Sequence, residues 1–351
     1  HENYDYQFSS RNATKTGQIT SGITELDNYV TPLSAGGYKN VNRLESYFAR
    51  ASYNYDEKYY ADASFRTDGS SIFDDSKRWG NFFSVGAAWA INKEDFMSSA
   101  TWVNDLRLKA SYGQVGNNHL LDVNGNRIYY GYQALYNLGW SNGGLPGTVL
   151  SSLANPNLTW ESSNTFNVGV NFSLFNNRLR GEAEYYKRGS DELLLSVPRP
   201  LSSAVSTEFR NVGSMYNTGF ELSLTGDIVR NDNFTWTLTK NFTTFKNEIT
   251  KMPVETPVIT AGNKRREVGR DYYAFWLRQY AGVDHADGSA LYIPADGTAQ
   301  ENIRVVDGKE YVTNQNYAKF DYSGTSIPDV MGSIINTFDY KAFTLSFLLN
   351  Y

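Results

Sequence analysis

The chain of 351 residues contains no cysteine. Disulfides, zinc thiolate sites and thiol nucleophiles are therefore excluded together. The sequence also lacks any run of about 18 apolar residues, which excludes a membrane-spanning helix. Basic residues are not in excess, because 32 Lys and Arg stand against 37 Asp and Glu and the formal charge is -5. Such a balance argues against nucleic acid as a partner.

Side chains that carry catalysis or hold metal ions are sparse. The histidines His1, His119 and His285 lie far apart with no ligand pattern around them, so we expect no metal site and no cofactor. Residues 122–126 begin like a calcium loop, but Arg127 stands where an EF-hand requires glycine, and we interpret the segment as a turn. No nucleophile elbow, phosphate loop or dinucleotide fingerprint is present. We therefore expect no catalytic residue and no enzyme.

Aromatic residues are abundant, at 15% of the chain, and they recur in segments where apolar and polar side chains alternate. Because side chains of a strand point to opposite faces in turn, each segment has one apolar and one polar face. Segments of this kind, about ten residues long, are typical of a transmembrane antiparallel β-barrel. In one of them the apolar positions are Phe166, Val168, Val170, Phe172 and Leu174.

Charged residues predict which face is wet. Arg180, Glu182 and Glu184 occupy the same face of one segment. Each charge costs up to ~2–4 kcal/mol when it faces lipid near the bilayer midplane. We therefore expect these three side chains to face a water-filled lumen and the opposite, apolar face to contact lipid.

Short and long connections alternate along the chain. Residues 56–58 form a tight turn, whereas residues 116–160 are polar and rich in glycine, and residues 247–328 are mostly irregular. Residues 1–42 are polar and predicted to be loop-like, except that residues 4–8 have the pattern expected at the end of a strand. The all-β pattern predicts ten or eleven strands, with tight turns at one rim and long loops at the other.

Six blocks of sequence resemble the SusC/RagA class of TonB-dependent outer-membrane transporters. They include Arg-Thr-Asp-Gly-Ser-Ser-Ile-Phe at residues 66–73 and Asn-Pro-Asn-Leu-Thr-Trp-Glu at residues 155–161. The others are residues 46–59, 105–117, 211–221 and 280–288. The resemblance implies a plugged barrel of about 22 strands. It further implies TonB-energised import of glycan or peptide fragments, a SusD-like lipoprotein lid, and the outer membrane of a Gram-negative bacterium of the Bacteroidetes type.

The chain departs from that plan because neither a plug domain nor a TonB box is evident. We expect residues 1–351 to form about half of such a barrel, its C-terminal part without the last strands, with residues 247–328 as a large extracellular loop region and short periplasmic turns. Half a barrel exposes two sheet edges, which lipid does not tolerate. Expected partners are therefore the remaining half of the barrel, lipid, the lid, and TonB acting through a plug encoded elsewhere. A closed small barrel ending at Tyr351 is the alternative.

Five residues are candidates for ligand binding. Tyr132, Tyr136 and Trp140 lie in a polar excursion, where flat rings beside hydrogen-bonding groups suit a sugar face or a peptide side chain. The alternative is that these rings pack the loop or meet the lid. Arg66 and Asp68, at a strand end beside a long loop, either hold a ligand or form a local ion pair.

Three functions remain open. The first is active import of oligomeric nutrients across the outer membrane, with either glycan or peptide as the cargo. The second is a non-transporting structural or adhesive outer-membrane barrel. The third is a soluble β-rich carbohydrate-binding protein, which requires the apolar faces to pack against another sheet.

Overall fold

The computed structural model describes residues 1–121, 125–205 and 207–351, so the start of the calcium-like segment, residues 122–124, lies outside the described residues. Its strands are β1 (Glu2–Gln18), β2 (Tyr29–Tyr55), β3 (Tyr59–Ser70), β4 (Trp79–Ala90), β5 (Val103–Asn117), β6 (Leu135–Asn142), β7 (Leu145–Ser152), β8 (Glu161–Leu174), β9 (Leu179–Asp191), β10 (Leu194–Pro198), β11 (Thr207–Asn211), β12 (Ser214–Arg230), β13 (Phe234–Thr244), β14 (Lys246–Lys251), β15 (Val258–Ala261), β16 (Lys264–Glu267), β17 (Ala274–Arg278), β18 (Tyr280–Val283), β19 (Ala290–Tyr292), β20 (Arg304–Val306), β21 (Lys309–Tyr311), β22 (Phe320–Thr325), β23 (Val330–Tyr340) and β24 (Phe343–Asn350). Single-turn 3-10 helices span Leu26–Asn28, Ile91–Lys93, Asp95–Met97, Leu201–Ser203, Gln300–Asn302 and Gln315–Tyr317. Among the described residues, no helix has the length and apolar character needed to cross a membrane.

Eleven strands form one antiparallel wall in the order β1-β2-β3-β4-β5-β8-β9-β12-β13-β23-β24. Strand β14 extends the wall by pairing with the part of β12 that β13 does not reach. Within the described ranges β24 does not pair with β1, so the wall has two open edges. The expected strand number is confirmed, and the closed small barrel is wrong.

The register of the wall separates polar from apolar side chains, because directly opposed residues share a face. One row across β5, β8, β9 and β12 consists of Ala110, Val168, Tyr185 and Phe220. The next row, on the other face, consists of Lys109, Gly169, Glu184 and Glu221. Tyr185 and Phe220 remain 42% and 39% exposed, so no second sheet of the described chain covers the apolar face. This exposure argues against the sandwich that a soluble protein would need.

Tight turns connect most wall strands at one rim, where the longer β4–β5 connection contains two 3-10 helices. Asp56 and Glu57 adopt positive φ between β2 and β3, and Phe175, Asn176 and Asn177 do so between β8 and β9. The left-handed conformation closes a hairpin in few residues, and asparagine tolerates it better than most side chains do. At the opposite rim, the β5–β8, β9–β12 and β13–β23 connections are long and contain their own short strands.

One sequence-based prediction of irregular structure is wrong. Residues 1–42 were expected to be loop-like, yet β1 and β2 form a long hairpin with register from Glu2↔Ser46 to Gln18↔Tyr29. Both faces of this hairpin are exposed, so it needs no apolar alternation, the signal on which strand prediction depends. The region 247–328 is mostly irregular, as expected, and its strands, from β14 to β22, are short.

A dry core forms where the long connections meet the wall. Its buried residues come from the β3–β4 connection, from β4, and from the β5–β8 connection. They are Ile72, Phe73, Phe82, Leu120, Leu158 and Trp160. The Trp160 ring lies 5.5 Å from Phe73 and 5.6 Å from Phe82, measured between centroids, and its Nε1 donates to the Arg78 carbonyl at 2.8 Å. This core fixes the long connections against the rim of the wall.

Candidate functional site

A pocket of about 420 Å³ lies beside the dry core, at the long-loop end of β3, β4 and β5. Its apolar floor consists of Leu44, Phe82 and Trp160. Its polar lining consists of Ser64, Arg66, Asp68, Ser84, Gln114 and Asn118. An apolar floor with a few hydrogen-bonding groups around it is the usual composition of a small-molecule site.

Arg66 is the cation of this pocket. Its Nε donates to Asp68 Oδ1 at 2.7 Å, and its Nη2 donates to Ser46 Oγ at 2.9 Å and to Glu2 Oε2 at 3.2 Å. The guanidinium also lies 5.6 Å over the ring of Phe48. Asp68 is only 7% exposed, so Arg66 compensates a buried carboxylate. The structure therefore shows the local ion pair, and the same two side chains line the pocket, where ligand binding stays a prediction.

Three residues that sequence reasoning missed complete the pocket. Phe82 and Trp160 form the floor, and Asn118 donates from Nδ2 to Ser70 Oγ at 3.0 Å. Gly116 makes the floor possible, because a Cβ at this position would lie 2.1 Å from Phe82 Cζ. The available sequence signal was that Gly116 and Trp160 both lie within the blocks of family resemblance.

The aromatic candidates occupy two different places. Tyr132 is partly buried and packs against the dry core, as the packing alternative predicted. Tyr136 and Trp140 lie on β6, in the β6–β7 hairpin, and each is 58% exposed. Neither of these two lines the pocket. The structure thus groups Arg66 with Asp68 and separates them from Tyr136 and Trp140, whose role in binding stays a prediction.

The polar face of the wall carries a second, larger groove of about 560 Å³. Lys109 and Glu184 lie on its lining together with Asp62 and Asn167. Lys109 Nζ lies 2.8 Å from Glu184 Oε2 and also pairs with Glu182. The predicted wet face is therefore a surface of mixed charge that continues from strand to strand. Among the described residues, no three metal-ligating side chains form a cluster that could hold an ion.

A protein-family model described as "TonB dependent receptor-like, beta-barrel" matches residues 2–350. The chain belongs to this family. The strand order of the wall, its two open edges and its separate polar and apolar faces agree with a partial antiparallel barrel. The predicted fold class is therefore confirmed.

Known proteins similar to the chain are consistent with that assignment. It is 30% identical to TonB-dependent receptor P39 of Formosa agariphila, over 99% of its own length and 36% of the relative's. It is 32% identical to TonB-dependent receptor SusC of Bacteroides thetaiotaomicron, over 70% of its length and 25% of that protein's. Three curated relatives match nearly all of the chain. The chain spans about a third of the length of each of them.

Among solved structures, the RagAB peptide importer in its closed-closed state is similar to the chain with a TM-score of 0.82 and 28% identity. The similarity covers 99% of this chain and 38% of the solved one. The resemblance to the SusC/RagA class is thereby confirmed.

Proposed function

We propose that the chain forms part of the wall and several outer loops of an outer-membrane importer of oligomeric nutrients. Its family membership and its similarity to SusC and to the RagAB peptide importer support this function. The cargo would be glycan or peptide fragments, and the energy would come from TonB. The host would be a Gram-negative bacterium, Bacteroidetes-like as SusC's source is.

The arrangement of one pocket on a two-faced wall is the observation that carries the proposal. The pocket around Arg66 opens at the rim where the long loops lie, and polar side chains continue from there along the wall. A ligand captured among the loops would therefore meet a hydrogen-bonding surface along its route. Nothing in this mechanism needs covalent chemistry; the side chains bind, orient and release.

Four partners complete the proposed importer. The remaining half of the barrel would pair with the open edges of β1 and β24, because unpaired backbone groups are costly in lipid. A plug encoded outside this chain would fill the lumen and receive the TonB signal. A SusD-like lipoprotein would cover the long loops, and outer-membrane lipid would surround the apolar face.

A growth experiment with the full-length transporter tests the function. The gene is deleted, and growth is measured on a panel of oligosaccharides and peptides as sole carbon sources. We expect growth on a member of the panel to be lost, and to be restored by the wild-type gene but not by a variant with its TonB-contacting segment removed. Unchanged growth on every member, with the protein present at the surface, would favour the adhesive alternative instead.

The pocket is tested in the same strain. Arg66→Ala should reduce growth at limiting substrate, because it removes the cation of the pocket and leaves the Asp68 carboxylate without its partner. Arg50→Ala is the matched control, since Arg50 is an exposed arginine of the neighbouring strand β2 that does not line the pocket. Equal growth of the two variants would exclude the pocket from ligand capture.

A further inference from the structure

One face of a small sheet in the region 247–328 is built from arginines stacked on aromatic rings. The sheet has the order β15-β16-β17-β22. Lys264 opposes Phe275, and Trp276 opposes Tyr322, so alternation places Arg265, Trp276 and Tyr322 on one face. We name this face the arginine platform and define it by Arg265, Arg270, Arg278, Trp276, Phe320 and Tyr322.

Each arginine of the platform lies over a ring. Arg265 lies 4.1 Å over Trp276, Arg270 lies 4.3 Å over Tyr322, and Arg278 lies 5.0 Å over Phe320, each measured from Cζ to the ring centroid. Stacking uses the flat faces of a guanidinium and leaves its N–H donors, which point outward in its plane, free for hydrogen bonds. The rings therefore hold the three cations in fixed positions without consuming their donors.

The platform has more positive than negative charge. Glu267 is 3.3 Å from Arg265 and 3.8 Å from Arg270, and Arg278 pairs with no carboxylate of the described chain. Three arginines of the platform, Arg265, Arg270 and Arg278, stand against Glu267, although the whole chain has a formal charge of -5. The excess of cations is therefore local, and Glu267 neutralises only part of it.

The platform is fixed to the rim of the wall beside an open crevice. Gly269 N donates to the Ile249 carbonyl at 2.8 Å, and Tyr272 N donates to Asn247 Oδ1 at 2.7 Å, which ties residues 269–272 to β14. The crevice has a volume of about 640 Å³, and its lining combines the cations Lys246 and Arg270 with the carboxylates Glu248, Asp271 and Asp329. The Tyr322 hydroxyl is buried and faces the Glu267 carboxylate.

We propose that the arginine platform binds the sulfate or carboxylate groups of an anionic oligosaccharide, which makes anionic glycans the substrate class of the importer. Guanidinium donors match the oxygens of such groups in pairs, and these charge-assisted bonds are about twice as strong as neutral ones. Phe320 is 41% exposed, so the part of its ring that Arg278 does not cover is available to the C–H face of a pyranose. The crevice of about 640 Å³ begins at Arg270. This inference rests on the proposed import function.

The test uses the full-length transporter in detergent and isothermal titration calorimetry. The probes are sulfated dextran oligosaccharides, oligogalacturonates, neutral dextran oligosaccharides and hexaglutamate, matched in length. We expect at least one anionic saccharide to bind about tenfold or more tightly than neutral dextran and than hexaglutamate, with an affinity that falls as salt rises. A preference for hexaglutamate, or no preference for either anionic saccharide over neutral dextran, would overturn the inference.

Two variants connect any preference to the platform. The double variant Arg270→Ala/Arg278→Ala should weaken binding of the preferred anionic saccharide about tenfold or more and reduce its salt dependence. Arg230→Ala is the control, because Arg230 is an exposed arginine at the opposite, tight-turn rim. An unchanged affinity in the double variant, with its barrel folded by heat-modifiable gel mobility, would assign the preference to another site and overturn the proposal.

The platform inference and the proposed import function can be disproved independently of each other. If the anionic preference holds but the deletion strain grows normally on every substrate, the import function is wrong and the platform stands as a binding site. If import is shown but the platform variants bind and grow like the wild type, the platform inference alone is wrong.

Discussion

Lys109 and Glu184 form an ion pair across a strand that lies between them. Lys109 belongs to β5 and Glu184 to β9, and their Nζ and Oε2 atoms are 2.8 Å apart. In register, the residue between them is Gly169 of β8. A Cβ on Gly169 would lie 3.0 Å from Lys109 Cε and 2.9 Å from the Ala183 carbonyl oxygen. The missing side chain is thus what lets Lys109 reach its partner.

A valine at this glycine should destabilise the wall. Gly169→Val forces Lys109 away from Glu184 and crowds the backbone of β9, and overpacking of this kind costs typically about 1–3 kcal/mol. The measurement is urea unfolding of the full-length protein in detergent. Gly189→Val is the control, because a Cβ at Gly189 would meet no atom within 4 Å. Equal stabilities of the two variants would contradict this account of Gly169.

Trp160 should hold the long connections to the wall. Trp160→Ala removes the ring between Phe73 and Phe82, and losing a buried aromatic side chain costs about 3–5 kcal/mol. Trp160→Phe keeps an aromatic ring but loses the hydrogen bond to the Arg78 carbonyl, at about 0.5–1.5 kcal/mol. In limited proteolysis, the β3–β4 and β5–β8 connections should be cleaved fastest in Trp160→Ala, more slowly in Trp160→Phe and slowest in the wild type. Slow cleavage in the alanine variant would show that other contacts hold these loops.

Arg304 joins two carboxylates of the β18–β19 hairpin. Its Nη2 lies 2.7 Å from Asp284 Oδ2, and its Nη1 lies 2.8 Å from Asp287 Oδ2. A hydrogen bond from the Ser289 backbone, followed by the contact with Arg304, lowers the pKa of Asp287 to about 2. Because the folded-state pKa is below the ordinary 3.8, the stabilisation is present above pH 3.8 and disappears as the pH falls towards 2.

Acid should therefore open this hairpin locally. Pepsin cleavage within residues 284–304 should begin between pH 4 and pH 2, as the pKa difference predicts. Arg304→Ala should move the onset of cleavage to higher pH, because Asp287 loses one of its two partners. Lys309→Ala, at an exposed position of β21, should leave the onset unchanged. An identical onset in all three proteins would contradict the role of Arg304.

Tyr136 and Trp140 should matter for binding and not for folding. Both are 58% exposed on the β6–β7 hairpin, and surface substitutions away from buried contacts usually change stability by less than about 0.5 kcal/mol. Tyr136→Ser/Trp140→Ser should therefore unfold in urea as the wild type does, yet grow more slowly on limiting substrate. A large loss of stability would assign these rings to packing, and wild-type growth would remove them from the ligand site.

The sequence predicted the wall well because the two faces of the wall differ in polarity. Alternation in the segment from Phe166 to Leu174 marks the apolar face, and the charges at Arg180, Glu182 and Glu184 mark the polar face. The β1–β2 hairpin was missed because both of its faces are exposed and select no alternation. Patterns of period two require contrasting faces.

The candidate site was predicted only in part. Arg66 and Asp68 were found because they end a strand beside a long loop. Phe82 was missed, because its place in the pocket depends on a close approach to Gly116 from another strand. The arginine platform was not predicted at all, because its stacking joins β16, β17 and β22 across about 60 residues of irregular sequence. Long-range contacts of this kind leave no local pattern.

The central claim is that neighbouring residues of one strand face lipid and water in turn, and a pair of arginine substitutions tests it most directly. Val168→Arg places a charge on the apolar face near the middle of β8, at a cost of up to ~2–4 kcal/mol if that face contacts hydrocarbon. Asn167→Arg places the same charge on the polar face one residue earlier. The measurement is the fraction of folded, heat-modifiable full-length protein recovered in the outer membrane. We predict a clear loss for Val168→Arg and near-normal recovery for Asn167→Arg; equal recovery, or the reverse order, would contradict the account.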